Sequence, residues 1–538
     1  MRLRIVSRFS VIHRIPRAGL IAALAGTMTI SAYAQAPEGR QRGAAGEGQQ
    51  AAREDQGTPI PPETNSVTKH DWTAGGRTVH YTATAGNLLL HNDENKAYAS
   101  MFYVAYTEDG VEAKTRPVTF LYNGGPGSAT IWLHMGSLGP VRVVTSSPEA
   151  TGPAPFQIVP NEYSLIDKSD LVFVDAPMTG WSRAVGKGTA KDVAGVDQDI
   201  QAFTRFIERY ITVNQRWNSP KFLFGESYGT TRSAGLVAAL QNAGIEFNGV
   251  TLLSSILNYN RQAPGLDVQS IGYLPSYAAI AYYHKKVKAT GSMADWVEQA
   301  RKFARGPYAE ALQQGDKLPP AEFDSIAAKV AAFTGLSVEY VKQAKLQISA
   351  TRFRKELLRG DERIMGRYDA RFEGWDTDSA GENPGYDPSD TGISGAYVGA
   401  FHDYIVKELK YTNQETYDLH GIGLNWDFHH RPSGAPGGGG GGGGRGGEQT
   451  APDVAMDLSD AMRKNPHLHV FSANGYFDLA TPFFATEYDL SHMDLPAKLV
   501  GNVQFGYYPA GHMVYLNVEA LKELKADMAK FYSLAEQH

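Results

Sequence analysis

A serine with a glycine two residues away on each side stands where it could act as a nucleophile. The motif reads GESYG at 225–229, after the apolar run FLF at 222–224 and before a helix-like stretch at 230–240. A strand, a sharp turn that carries a serine, and a helix together form a nucleophile elbow. Glycines suit this strained turn because a Cβ at either side would collide with the neighbouring strand and helix. The pattern predicts that Ser227 attacks carbonyl groups.

An acidic residue and a histidine follow in the order that such a serine requires. Asp478 comes shortly after an apolar run that ends near 472, and His512 comes shortly after one that ends near 508. Catalytic groups gather beyond the carboxyl ends of strands in open α/β sheets. We expect His512 to take the proton of Ser227 as general base and Asp478 to orient the imidazole. The order serine, acid, histidine is typical of the α/β-hydrolase fold.

A glycine-rich loop after the first apolar strand could stabilise an oxyanion. It reads NGGPG at 123–127. Glycines allow backbone N–H groups to approach a developing negative charge closely. The Lys and Ser/Thr that end a phosphate-binding P-loop are missing, so we reject a phosphate site.

Four sequence blocks, taken together and in order, resemble the signature of the serine carboxypeptidase family. They read NGGPGS at 123–128, DAPMTGWS at 175–182, GESY at 225–228 and GHMV at 511–514. The resemblance extends over nearly all of the chain from about 66 onward, although the segment between the third and fourth blocks is similar only in general character. It implies a catalytic triad of Ser227, Asp478 and His512.

The resemblance also implies how a peptide is held. The backbone N–H groups of Gly125 and Tyr228 would form the oxyanion hole. Asn123, Glu226 and the N–H group of Gly124 would bind the free C-terminal carboxylate of the substrate. Two carboxyl groups in contact cannot both ionise readily and therefore share a proton. Hydrolysis favoured at acidic pH is the expected result.

Other residues of these blocks have less specific interpretations. Met513, beside the candidate base, could line the pocket for the departing residue, or it could simply pack in the core. We interpret the block that contains Asp175 and Ser182 as mainly structural. Family members often have a cysteine at the position of Ser128 and an aromatic residue at that of Leu121, so the rim of the site is expected to differ here.

The pattern of apolar runs predicts an α/β-hydrolase fold, with a mostly parallel central sheet flanked by helices and an inserted helical cap. The segment 192–211 has apolar residues three and four apart, which predicts an amphipathic helix before the elbow. Within the cap we expect a helix at 278–287, with Pro275 close to its first turn. The expected strands are 118–122, 171–174, 222–224, 250–253, 469–472 and 503–507.

The N-terminal 34 residues have the features of a signal peptide. Five arginines precede an uncharged apolar stretch at 18–30, and AYA at 32–34 has the form of a signal-peptidase site. The apolar stretch has about 13 residues where a membrane-spanning helix needs roughly 20. We expect cleavage after Ala34, export to the periplasm or the exterior of a bacterium, and no remaining membrane span.

The remaining chain divides by composition into four parts. Segment 35–65 has almost no large apolar residue and is predicted to be a disordered leader. The hydrolase core is expected at 66–258 and again at 462–538, with the cap at 259–461 between them. Within the cap, 432–447 is a glycine-rich loop with an unbroken run of glycines at 437–444.

Charge and cysteine content exclude several classes of function. The formal charge of −6 becomes −11 when the five arginines of the signal peptide are removed, which argues against nucleic acid as a partner. The absence of cysteine excludes disulfides, thiol catalysis and cysteine-ligated metals. We expect no metal and no cofactor, because His429, His430, His467 and His469 do not follow a metal-binding spacing. The oligomeric state is not indicated.

These observations predict an exported serine-type carboxypeptidase that releases C-terminal residues from peptides through an acyl-enzyme. The substrates would be peptides with a free C-terminus. An esterase or acyltransferase remains an alternative, because the same acyl-enzyme can form from an ester and pass to an acceptor other than water. The other alternative is a binding protein of the cell envelope that has lost catalytic turnover, because a fold does not establish a function.

Overall fold

The computed structural model describes residues 57–263, 265–421, 424–432 and 448–537. The expected signal peptide and nearly all of the expected glycine-rich loop lie outside the described residues. The expectation of disorder is wrong for 57–65, because Thr58 pairs with the backbone of Gly186 and Asn65 opens the first strand. The backbone N–H group of Thr64 also donates to Oδ1 of Asn87 at 2.9 Å.

Most of the strands in the described residues belong to one large sheet. The strand bounds are β1 Asn65–Ala74, β2 Arg77–His91, β3 Ala97–Glu108, β4 Val118–Tyr122, β5 Val141–Val143, β6 Ile158–Pro160, β7 Asp170–Val174, β8 Arg183–Ala184, β9 Lys221–Glu226, β10 Gly249–Leu253, β11 Arg363–Met365, β12 Glu373–Trp375, β13 His469–Gly475 and β14 Val503–Tyr508. The order in the large sheet is β1-β2-β3-β7-β4-β9-β10-β13-β14, and β8 pairs with β3. The six strands β7, β4, β9, β10, β13 and β14 run parallel to one another, whereas β1, β2 and β3 are antiparallel and β3 joins β7 in the antiparallel sense.

Helices cover both faces of this sheet. The amphipathic helix expected at 192–211 is present as α2, Val196–Val213. Helix α3, Tyr228–Asn242, follows the elbow directly. The helix bounds are α1 Ile131–Gly136, α2 Val196–Val213, α3 Tyr228–Asn242, α4 Val268–Tyr283, α5 Met293–Phe303, α6 Ala309–Gln314, α7 Pro320–Thr334, α8 Val338–Gln343, α9 Ala350–Glu356, α10 Pro388–Thr391, α11 Ser394–Lys407, α12 Ala455–Lys464, α13 Phe483–Ser491, α14 Ala497–Val500 and α15 Val518–Ala535.

The mostly parallel sheet flanked by helices confirms the expected α/β-hydrolase fold. All six expected strands are present, as β4, β7, β9, β10, β13 and β14. Five of these, all except β14, are buried along their whole length, which explains their continuous apolar sequences. The antiparallel strands β1, β2 and β3 were not predicted.

The helical insertion has two parts that pack differently. Helices α4–α9 and the β11–β12 hairpin, within 268–375, share a separate hydrophobic cluster, and we call this part the cap. Helices α11 and α12 fall within the segment that we expected to be cap, but they pack on the sheet. Tyr397 of α11 contacts Trp132 of α1, and Leu458 of α12 is buried among the residues of α2 and α3.

One helix boundary within the cap differs from the expectation. Pro275 lies inside α4 and not at its first turn, because the helix already begins at Val268. A proline has no N–H group to donate, so the carbonyl of Ile271 lacks its usual helical partner there. Within the described ranges, no helix combines the length and the apolar character that crossing a bilayer requires.

Candidate active site

Ser227 occupies a strained turn at the centre of the sheet. It follows the last residue of β9 and precedes the first residue of α3, with φ 60° and ψ −128°. Its N–H group donates to the carbonyl of Leu253, at the end of β10, at 3.0 Å. Strained backbone of this kind persists where the surrounding structure enforces it and clusters at functional sites.

Glycines around the serine are required by close backbone contacts. A Cβ on Gly225 would lie 2.2 Å from the carbonyl oxygen of Gly229. A Cβ on Gly124 would lie 2.3 Å from the backbone nitrogen of Tyr228, so the oxyanion loop packs directly against the start of α3. Gly125 has φ +105°, a conformation that other residues rarely adopt. The N-terminus of α3 thereby faces the loop, and helix N-termini favour negative charge.

His512 and Asp478 form a buried hydrogen-bonded pair. Nδ1 of His512 lies 2.7 Å from Oδ2 of Asp478. Asp478 follows β13 and His512 follows β14, and these neighbouring parallel strands end at the same edge of the sheet. The geometry agrees with a histidine that is held in one orientation by a carboxylate.

Two hydroxyl groups that the sequence analysis missed support this pair. Oγ1 of Thr481 donates to Oδ2 of Asp478 at 2.7 Å and lies 3.1 Å from Nδ1 of His512. Oδ1 of Asp478 accepts the N–H groups of Ala480 and Thr481 at 2.7 and 2.9 Å. The hydroxyl of Ser254 donates to the carbonyl of His512 at 2.6 Å. The only sequence signal for Thr481 is its place three residues after an aspartate, which is typical of turns.

The second ring nitrogen of His512 has the environment of a proton acceptor. Nε2 is buried and has no hydrogen-bond partner among the described residues. Burial lowers the pKa of His512, but the charge and hydrogen bond of Asp478 outweigh burial, so the net pKa lies above the usual value for histidine. The negative charge of Glu226 acts in the same direction.

Glu226 is buried beside the triad in an environment that favours its protonated form. Burial raises its pKa to about 7, although the charge of His512 and the hydrogen bond from Tyr515 act in the opposite direction. The hydroxyl of Tyr515 donates to Oε2 of Glu226 at 2.7 Å. Asn123 also stabilises the ionised carboxylate through a hydrogen bond. A Cβ on Gly124 would lie 2.7 Å from the carbonyl oxygen of Glu226, so all three residues expected to hold a substrate carboxylate lie together.

A fully buried arginine fixes the loop that carries Asn123. Arg232, on α3, bonds to both carboxylate oxygens of Asp199 at 2.7 and 3.1 Å. Its Nη1 donates to the carbonyl of Asn123 at 2.8 Å, and its guanidinium lies 4.2 Å from the ring centre of Phe203. The side-chain oxygen of Asn123 accepts the N–H group of Leu133 at 2.9 Å, which leaves the amide NH₂ group to face the site. The sequence analysis missed Arg232.

A strap that comprises 417–421 and 424–432 borders the site. It forms backbone bridges through Asp418 with Gly180, through His420 with Ser128, and through Asp427 with Gly195. The ring of Trp426 meets that of Tyr228 edge-on, with 5.2 Å between centroids. The side chain of Leu424 packs against Gly127, where a Cβ would lie only 2.7 Å from Cδ1 of Leu424.

Near its C-terminal end the strap carries a histidine that lies between two aspartates. Nδ1 of His430 lies 2.6 Å from Oδ1 of Asp197 on α2, and Nε2 lies 2.9 Å from Oδ2 of Asp457 on α12. Burial lowers the pKa of His430, but the hydrogen bonds to Asp197 and Asp457 outweigh it and raise the net pKa to about 9. His429 is exposed and pairs with Asp427 at 2.6 Å.

The remaining block residues have mainly structural contacts. Ser182 accepts the N–H group of Phe102 and donates to the carbonyl of Asp175, both at 2.9 Å. The carboxylate of Asp175 accepts the N–H group of Thr130 at 2.8 Å. Met513 is buried within the main hydrophobic core. These contacts agree with the structural interpretation of the second block.

Comparison with known proteins finds similarity to serine carboxypeptidases in part of the chain. A segment of 146 residues, 27% of this chain, is 27% identical to the pheromone-processing carboxypeptidase KEX1 of Candida dubliniensis. That segment spans 19% of the relative's length.

Among solved structures, KEX1(delta)p, a prohormone-processing carboxypeptidase from Saccharomyces cerevisiae, matches with a TM-score of 0.48 and 15% identity, over 84% of this chain and 91% of that chain. A proline iminopeptidase of Mycobacterium smegmatis matches with a TM-score of 0.35 and 13% identity, over 84% and 98% of the two chains. The family model described as serine carboxypeptidase matches residues 77–314, which include the oxyanion loop and the elbow. This match confirms, for that part of the chain, the resemblance to serine carboxypeptidases that the sequence blocks indicated.

Proposed function

We propose that this chain is an exported serine-type carboxypeptidase that releases C-terminal residues from peptides through an acyl-enzyme and works best in acid. The observation that carries the proposal is Glu226, a buried carboxyl group with a pKa raised by burial to about 7, directly before the candidate nucleophile. A protonated carboxyl group can donate a hydrogen bond to a carboxylate, which an ionised one would repel. The family match at 77–314 supports the same substrate class.

In the proposed mechanism, Oγ of Ser227 attacks the last peptide carbonyl while Nε2 of His512 accepts the serine proton. The N–H groups of Gly125 and Tyr228 stabilise the oxyanion. The tetrahedral intermediate then collapses, the C–N bond breaks, and His512 returns the proton to the departing amine. Water attacks the acyl-enzyme with the same base and restores the hydroxyl of Ser227. The 2.7 Å bond to Asp478 supports the assignment of His512 as base.

The substrate's C-terminal carboxylate would bind to the amide of Asn123, the N–H group of Gly124 and the carboxyl group of Glu226. The hydroxyl of Tyr515 donates to Oε2 of Glu226 and helps to orient it. When the pH rises through about 7, Glu226 ionises and the bound carboxylate is repelled. Binding of the substrate carboxylate therefore favours hydrolysis below about pH 7, down to the pH at which protonation of His512 removes the base.

The proposal of export depends on the sequence. Five arginines, a short apolar stretch and AYA at 32–34 support cleavage after Ala34 and delivery to a bacterial periplasm or exterior. Residues 1–56 lie outside the described residues. N-terminal sequencing of protein recovered from a periplasmic fraction tests this part, and an N-terminus at Gln35 is expected.

The first test of activity uses one peptide in two forms, with a free acid and with an amidated C-terminus. Both forms are incubated with the mature protein over a chosen range of pH 4 to pH 8, and mass spectrometry follows the loss of residues. Stepwise loss of residues from the free acid alone, fastest in acid, is expected. Equal trimming of both forms would contradict the carboxylate site.

A serine-reactive fluorophosphonate distinguishes the alternatives. Labelling that disappears in Ser227→Ala is expected of the active enzyme. Labelling without trimming of either peptide would favour an esterase or acyltransferase. Folded protein that is not labelled would favour a binding protein.

A further inference from the structure

The loop of the cap that contacts the candidate catalytic base carries an arginine that the proposed mechanism does not use. Arg367 belongs to the loop 366–372, which connects β11 to β12. Its carbonyl accepts the N–H group of Leu479 at 3.1 Å, and the next carbonyl, that of Tyr368, accepts the N–H group of His512 at 2.6 Å. The loop is thus fixed to both segments that carry the acid and the base of the triad.

The side chain of Arg367 forms the outer end of a row of rings that leads to His512. Its guanidinium lies 5.3 Å from the ring centre of Tyr368. The ring of Tyr368 lies 5.3 Å from the imidazole of His512, with an angle of 37° between the planes. The positive charge of Arg367 also acts against protonation of His512. The guanidinium therefore lies at the rim of the site.

The charge of Arg367 is available to a ligand. Arg371, in the same loop, is buried and pairs with Asp369 at 2.6 Å, whereas Arg367 is exposed and has no carboxylate partner within 4 Å among the described residues. The carboxylate of Asp387 contacts the backbone of Arg367 and not its guanidinium. Its Oδ1 accepts the backbone N–H group of Arg367 at 3.0 Å and the hydroxyl of Ser389 at 2.6 Å.

The position of Tyr368 indicates which part of a substrate would reach Arg367. Burial raises the pKa of Tyr368, and the charges that act on its hydroxyl include those of Arg367 and Glu226. The ring of Tyr368 lies 5.3 Å from both the guanidinium of Arg367 and the imidazole of His512, so it connects the guanidinium to the site. Because Glu226 would hold the α-carboxylate of the departing residue, that residue's side chain would pass along Tyr368.

We propose that Arg367 binds a carboxylate on the side chain of the departing residue, so that the enzyme preferentially releases C-terminal glutamate and aspartate. This inference rests on the proposed carboxypeptidase function and names its substrate class. A guanidinium is suited to the task because it remains charged and presents a fork of donors to a carboxylate.

The preference has a defined pH window. A glutamate side chain ionises above about pH 4.3, and Glu226 remains protonated up to about pH 7. Between these limits the substrate carries the charge that Arg367 attracts. Other charged and titratable groups around Tyr368 and Arg367 include Asp387, Asp390, Arg354, Tyr273, Glu226 and His512, together with the Asp369–Arg371 pair of the same loop.

The test compares N-blocked peptides that differ only in their last residue, which is Leu, Gln or Glu. The measured quantity is the ratio of kcat/KM for the Glu peptide to that for the isosteric Gln peptide, at pH 5.5 and at pH 3.5. A charged hydrogen bond at the rim predicts a ratio on the order of tenfold or more at pH 5.5 and a smaller ratio at pH 3.5. In Arg367→Gln the ratio at pH 5.5 is expected to fall toward one, and Arg367→Lys is expected to retain part of it.

The matched control is Arg363→Gln, which removes the same charge from the same hairpin. The guanidinium of Arg363 stacks on Trp375 at 3.4 Å. The control is expected to retain the Glu/Gln ratio of the unchanged protein. Release of Leu and Gln without preference for Glu would overturn this inference and leave the proposed function intact. Release of none of the three residues would overturn both.

Discussion

At the scale of single residues, the site depends on the orientation of His512. Asp478 accepts from its Nδ1, and Thr481 holds the same carboxylate oxygen. A neutral amide at 478 would remove the charge that stabilises the imidazolium and would favour the wrong tautomer of the ring.

We expect Asp478→Asn to lower kcat by about 10⁴-fold with little change in KM, as is usual for this type of triad. Steady-state kinetics on a peptide substrate measure the effect. Asp460→Asn, which removes a partly exposed aspartate of α12 that pairs with Lys464, is the control. Activity within tenfold of the unchanged protein would exclude Asp478 from the mechanism.

Glu226 leads to a prediction about pH. Its raised pKa of about 7 means that the proton is present below pH 7 and lost above it. Glu226→Gln keeps a neutral hydrogen-bond donor at every pH. The fall of kcat/KM for peptides above neutral pH should therefore shift or disappear, whereas hydrolysis of an ester without a free carboxylate should keep its profile. Identical peptide profiles for the two proteins would contradict proton sharing at Glu226.

The residues that the sequence predicted and those that it missed differ in a physical way. Ser227, Asp478 and His512 stand in local motifs with strand-end positions, which a reader of the sequence can recognise. Tyr515 contacts Glu226 across 289 residues of chain, and Arg232 bonds to a carbonyl 109 residues away. Such partners have no local signal, because only the folded chain brings them together.

At the scale of elements, the site depends on close packing of the oxyanion loop against the start of α3. A Cβ at Gly124 would lie 2.3 Å from the nitrogen of Tyr228 and 2.4 Å from that of Gly229. Both contacts are with backbone atoms, so the loop or the helix would have to move. The N–H groups of the proposed oxyanion hole would then no longer converge.

Gly124→Ala is therefore expected to lower kcat by about 100-fold, which is the effect of losing one oxyanion donor. Peptide kinetics together with a thermal melt separate this effect from unfolding. Gly360→Ala is the matched control, since a Cβ there meets nothing within 4 Å. Equal kcat values for the two variants would show that the packing of the loop does not matter.

The predictability of elements follows their burial. Strands such as β4 and β10 are enclosed on both faces, and their unbroken apolar sequences identify them. The first strand, β1, alternates exposed and half-buried residues and includes Lys69, His70 and Asp71, so it resembles a polar segment. The start of α4 was also missed. Pro275 suggested the beginning of a helix, whereas this helix contains the proline in its interior.

At the scale of the whole molecule, His430 connects the strap to two helices of the core. Its folded pKa of about 9 is above the value of about 6.5 for an unfolded histidine. The stabilisation is therefore complete below pH 6.5 and is lost as the pH rises through 9. Its maximum is on the order of 3 kcal/mol.

We expect His430→Gln to lower the Tm clearly at pH 6 and much less at pH 9.5. Differential scanning calorimetry measures the Tm of the unchanged protein and of His430→Gln across this pH range. Subtracting one Tm from the other at each pH removes the contributions of other titrating groups. His429→Gln, at the exposed neighbour that pairs with the strap residue Asp427, should have a small effect. A Tm difference for His430→Gln that is independent of pH would contradict the charged pair.

The order of strands in the sheet has a consequence for the timing of activity. The candidate nucleophile follows a central strand, whereas the candidate base follows β14, the last strand of the sheet and an edge strand. A chain in which β14 had not yet joined the sheet would have the serine but no base beside it. The peptidase proposed here would therefore be inactive in any partly folded state that lacks β14.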